Sequence, residues 1–133
     1  VLPHDGAYAS VFPMIIPTLN VSDMQRALDF YTGVLDFSAA YVWSDGGTHG
    51  YAVLRRGNDE LHLSGFGGKA FEHAAIVVVP EVDDLYRLFL DRGLDPSGKP
   101  DSPVHQGPVD QTWGTREFYA DDPDGNTVIF QKR

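Results

Sequence analysis

Cysteine is absent from this chain of 133 residues. That removes disulfides, a thiolate nucleophile and every sulfur ligand for a metal, and it fits a reducing, cytoplasmic setting. Long apolar runs are missing as well. Nothing approaches the roughly 20 residues of a membrane-spanning helix, and no signal-peptide pattern opens the chain. Positive charge is scarce: 10 Lys and Arg against 19 Asp and Glu leave a net charge of −9. Nucleic acid is therefore a poor partner, because neutralising phosphates needs clustered cations. The acidity either draws a cationic ligand or simply aids solubility. There is no G-x-S-x-G elbow and no pair of carboxylates at a recognisable site. Gly65, Gly67 and Gly68 follow a strand pattern but open no helix, so no phosphate-binding loop is present.

What is present is a pattern that occurs twice. Val1 to Val11 reads as a loosely held lead-in. Phe12 to Val21 alternates as a strand, with Ile16, Thr18 and Asn20 on one face and Leu19 and Val21 on the other. Ser22 and Gln25 have the spacing of a capping box. The helix they open carries Met24, Ala27, Leu28, Tyr31 and Leu35 on one face. Strands over Phe37 to Ser44, His49 to Arg56 and Glu60 to Phe66 follow, separated by glycine turns. About 60 residues on, the order begins again. His73 to Val79 is a strand, and Asp83 or Asp84 starts a helix bearing Leu85, Leu88 and Phe89 that stops near Gly93. Asp95 to Gly114 reads as a long loop with one short strand near His105. A hairpin, Thr115 to Ala120 and Thr127 to Gln131, closes the chain around Asp122-Pro123-Asp124-Gly125.

Three phrases go beyond pattern: Trp113-Gly114 with Arg116-Glu117-Phe118 and the turn through Asn126, FYTGVLDF from Phe30 to Phe37, and LHLS from Leu61 to Ser64. Together they resemble the bleomycin-resistance branch of the glyoxalase/bleomycin resistance protein/dioxygenase (vicinal oxygen chelate) superfamily. The resemblance implies an α+β fold in one domain, residues 1–133. Two βαβββ modules, about 12–68 and about 72–133, would form a curved mixed sheet with a concave cup and helices on the convex side. It also implies a homodimer with ligand clefts between subunits.

Metal-dependent members of that superfamily draw ligands from the first, fourth, fifth and eighth strands. Here the matching places hold Ile16, His62, Ala74 and Ile129. Isoleucine and alanine donate no lone pair, and one histidine does not hold a divalent ion against water. His73 is offset by one residue from Ala74, which turns it to the other face. The expectation is thus no metal, no cofactor and no catalytic residue. Tyr41, Trp43, Tyr51 and Trp113 offer rings that stack on planar or cationic groups, or that serve core or dimer interface instead. Asn20, His62 and Ser64 face the same cup as polar partners. Of Arg116 and Glu117, which alternate faces, Arg116 is assigned to the ligand. The reading is a metal-free binding protein, with antibiotic sequestration as its family precedent. The alternative is a glyoxalase-like lyase or ring-cleaving dioxygenase with an atypical metal site.

Overall fold

The computed structural model describes residues 15–66 and 73–133, so the expected lead-in and the opening of the first strand pattern at Phe12 lie outside the described residues. The first half runs β1 (Thr18–Asn20), α1 (Met24–Gly33), β2 (Ser38–Ser44), β3 (Gly50–Arg56) and β4 (Asp59–Ser64). The second half opens with β5 (Ala74–Val78), α2 (Asp83–Asp91) and a 3-10 turn at Pro96–Gly98. It continues with α3 (Pro103–Gln106), β6 (Val109–Asp110), β7 (Arg116–Asp121) and β8 (Thr127–Lys132). Each half builds a four-stranded sheet in the same order, β1-β4-β3-β2 and β5-β8-β7-β6. The first strand of each half lies parallel to the last, and the other pairs are antiparallel. The α+β fold of two βαβββ units is therefore present, as two mixed sheets.

Strand alternation decides what becomes core. Leu19, Ala52, Leu54, Leu61 and Leu63 turn one way in the first sheet, and Phe118, Ala120, Val128 and Phe130 do so in the second; all are buried. Each large apolar side chain so removed from water is worth about 1.5–3 kcal/mol. The helices close over these faces with Met24, Ala27 and Tyr31 from α1 and Tyr86 and Phe89 from α2. Phe89, Phe118 and Phe130 meet at 5.0–6.0 Å between centroids, with Phe118 stacked on Phe130. A single apolar cluster draws on both halves.

The turn between β7 and β8 ties the halves together. Buried Asn126 donates from Nδ2 to the carbonyl of Asn20 at 2.8 Å and accepts from the His73 backbone N–H at 3.0 Å. The Tyr31 hydroxyl donates to Asp122 at 2.9 Å, and burial against that carboxylate raises the phenol well above its ordinary range. Ser22 donates from Oγ and from its backbone N–H to Asp124, at 2.5 and 3.1 Å.

That use of Ser22 corrects the expected capping box. The N-cap of α1 is Asp23, whose carboxylate accepts from the Arg26 N–H at 3.0 Å, and Gln25 bonds Asp29 instead. Leu88 is a second correction. It is 40% exposed, because α2 buries Tyr86 and Phe89 behind its buried N-cap Val82, a phase in which the Tyr86 ring takes the inward place. In the long loop His105 is helical, within α3, and the short strand follows it as β6.

Candidate ligand-binding face

The residues that alternate away from the core make up the helix-free face of each sheet. In the first sheet the register sets Thr18 beside His62, His62 beside Val53, and Val53 beside Tyr41. The next row is Asn20, Ser64, Tyr51 and Trp43. Tyr41, Trp43, Tyr51, His62, Ser64 and Asn20 therefore share one face. Phe66, which the sequence reading left out of the site, completes it. Its ring stacks on Trp43 at 5.7 Å and on Tyr51 at 6.2 Å, with interplanar angles of 26° and 29°. Trp43 is 43% exposed, Tyr41 57% and Phe66 60%, so the stack is a shelf open to solvent.

A chain of polar contacts runs along the edge of the shelf. The Tyr51 hydroxyl lies 2.5 Å from His62 Nδ1, with the two rings edge to face. His62 Nε2 lies 2.6 Å from Glu60 Oε2, and Arg55 holds the other oxygen of Glu60 at 3.1 Å. Tyr51, His62 and Glu60 are half-buried, and Arg55 is exposed.

The remaining expected site residues stand elsewhere. Trp113 is 65% exposed in the turn before β7, a turn closed by Gln111 N–H to Thr115 O at 2.7 Å. It is not part of the ring stack. Arg116 lies on the α2 side of its sheet, bonded to Asp83 at 2.8 and 3.1 Å and within 3.2 Å of Asp110. Those two carboxylates hold the guanidinium firmly protonated, and Arg116 in turn keeps the Asp83 carboxyl below its ordinary range. Its neighbour Glu117 takes the helix-free face, where it is 2% exposed and accepts from Gln131 at 2.8 Å. Burial, and then the nearby Glu117 carboxylate, raises the Tyr119 phenol beside it. Ile76 and Val78 leave an apolar, half-exposed surface on this sheet.

The donor set does not suit a metal. The register pairs Thr18 with His62 and Ile76 with Ile129, so the places next to His62 and Ile129 belong to Thr18 and Ile76, further along than Ile16 and Ala74. Among the described residues no group of three or more His, Cys, Asp or Glu side chains could hold a metal ion. His73 precedes β5 and is held through its backbone by Asn126.

One further constellation has catalytic connectivity. His105 Nδ1 lies 2.7 Å from Ser102 Oγ, and Nε2 lies 2.9 Å from Asp121 Oδ1. Asp121 is also bound by Thr127 and Lys99, and Tyr86 donates to the His105 carbonyl at 3.1 Å. His105 ties α3 to β7, beyond the point where the short β6 ends, while the other contacts join α2, β8 and the loop at Lys99 to the same place, and that structural role accounts for the cluster.

Paired βαβββ halves, each with a helix-free face, define the class of fold. A profile of the Glyoxalase/Bleomycin resistance protein/Dioxygenase superfamily matches residues 14–130, and the chain belongs to that superfamily. No curated protein matches it. Among solved structures, a bleomycin-binding protein complexed with bleomycin is 21% identical, with a TM-score of 0.69 over 90% of this chain and 98% of the other. A bleomycin resistance determinant encoded on transposon Tn5 is 19% identical, with a TM-score of 0.69 over 90% and 97%. An integron cassette protein from the mobile metagenome of the Halifax Harbour sewage outfall is 18% identical, with a TM-score of 0.71 over 90% and 97%. At these identities the likeness is one of fold.

Proposed function

We propose that this protein captures a planar cationic or heteroaromatic molecule without transforming it, as a cytoplasmic homodimer of the bleomycin-resistance type. The observation that carries the reading is the exposed shelf of Trp43, Phe66 and Tyr51, with His62, Ser64 and Asn20 beside it. Flat rings bury large area at small entropic cost and stack on any π-face. Tyr41 extends the shelf, and Trp113 offers a further exposed ring from the other half. A net charge of −9 draws a cation toward such a site. A bleomycin-binding relative with this fold makes that antibiotic the natural first probe.

The test is a titration of bleomycin followed by tryptophan fluorescence and calorimetry. Binding should quench the fluorescence, and Trp43→Ala should weaken it by about 1–3 kcal/mol, by analogy with base stacking on aromatic side chains. Absence of binding by bleomycin and by other planar cations withdraws the reading. Stoichiometric metal that survives dialysis and is lost on His62→Ala would favour a metal-dependent lyase or dioxygenase instead.

A further inference from the structure

We infer that Tyr51 offers an acceptor, not a donor, to a molecule on the shelf, so that this face selects planar ligands carrying an N–H or O–H group. The inference rests on the shelf being a ligand site, and it follows from counting hydrogens along the polar chain. An ionised carboxylate such as that of Glu60 only accepts, and both of its oxygens are engaged, one by Arg55 at 3.1 Å and one by His62 Nε2 at 2.6 Å. The hydrogen on that second contact must therefore sit on Nε2. A neutral imidazole has a single N–H, so Nδ1 is left with its lone pair. The 2.5 Å contact from Nδ1 to the Tyr51 oxygen then needs the phenol to donate. With its one hydrogen committed, Tyr51 has only lone pairs left for a partner from outside.

The arrangement is fixed by packing as well as by hydrogen bonds. The Tyr51 ring stands edge to face with His62 at 5.3 Å and lies near parallel to Phe66 at 6.2 Å. A ligand stacked on the shelf is thus held beside the phenol oxygen. His62 acts here as a positioning residue and Tyr51 as the residue that sets specificity.

Indole and benzofuran make the test, because they are neutral bicycles of nearly one shape and differ in having or lacking an N–H. Binding of each to the full chain is measured by NMR titration. At about pH 8 indole should bind about five-fold more tightly, the worth of one neutral hydrogen bond. Tyr51→Phe should erase that preference while retaining the ring. Equal binding of the two probes by the unaltered protein overturns the inference and leaves the shelf standing. A preference that persists in Tyr51→Phe also overturns it. If neither probe binds, the shelf is not a site for planar molecules, and the inference falls with the reading beneath it.

Discussion

Asp121 gathers three side-chain partners. His105 and Thr127 bond one oxygen at 2.9 and 2.8 Å, and Lys99 bonds the other. Burial alone would raise its carboxyl, but the contacts to Lys99, His105 and Thr127 outweigh that and hold it below the ordinary range. An unfolded aspartate titrates near about 3.9, so between the two values only the unfolded chain holds the proton. This stabilisation is complete above the unfolded value and is lost as pH falls through the native one. Asp121→Asn should cost about 1–3 kcal/mol in urea melts near neutral pH, and the gap should narrow on acidification below about pH 4. A gap that does not change with pH would assign the loss to packing. At this scale the sequence was only partly legible. Phe66 shares the parity of Glu60, His62 and Ser64, so alternation alone would have placed it on the shelf. The choice between Arg116 and Glu117 was not legible, because Asp83 and Asp110, which take the arginine, belong to another helix and another strand.

Among the elements, the turn from Asp122 to Asn126 does more than reverse the chain. Gly125 supplies the positive φ of 85° that the reversal needs, as the DPDGN phrase predicts. Asn126 then spends its side chain on three partners: Asn20, His73 and Asp122. Removing it deletes its hydrogen bonds to the Asn20 carbonyl of β1, to the N–H before β5 and to Asp122, the first two in a partly buried place, at about 0.5–1.5 kcal/mol each. Asn126→Ala should therefore lower stability by more than about 2 kcal/mol, far beyond the change expected of an ordinary turn residue. A loss below about 0.5 kcal/mol would mean that water satisfies both groups, and that the halves are joined by the apolar core alone. Local patterns could announce the turn but not its long-range partners. The same limit explains the α1 cap: Ser22 has the better local signature, and Asp124, far along the chain, takes it away.

At the scale of the whole molecule, the repeat and the inward faces were legible because period-two alternation is strict wherever one face is buried. How the halves meet was not, since nothing local encodes it. The same physics leaves an unfinished surface. β2 is the outer strand of its sheet, and all of Ser38–Ser44 is exposed, including Tyr41, Val42 and Trp43. A long apolar edge with free backbone groups invites pairing, and folded proteins cover or charge such edges. Here it carries no charged residue, and Ile76, Val78, Phe66 and Trp113 add further exposed apolar area. A ligand pocket also needs enclosing walls, which an open shelf lacks. A second copy of the chain would meet both needs, and a stable pair needs roughly 1,200–2,000 Å² of buried surface in total. Light scattering at micromolar concentration should give about twice the 14.7 kDa of one chain. Val42→Lys, a charge set into the edge, should shift the mass toward one chain and weaken bleomycin binding together with it. A wild type that scatters as a single chain would remove the second copy, and any ligand would then have to be held by one open face.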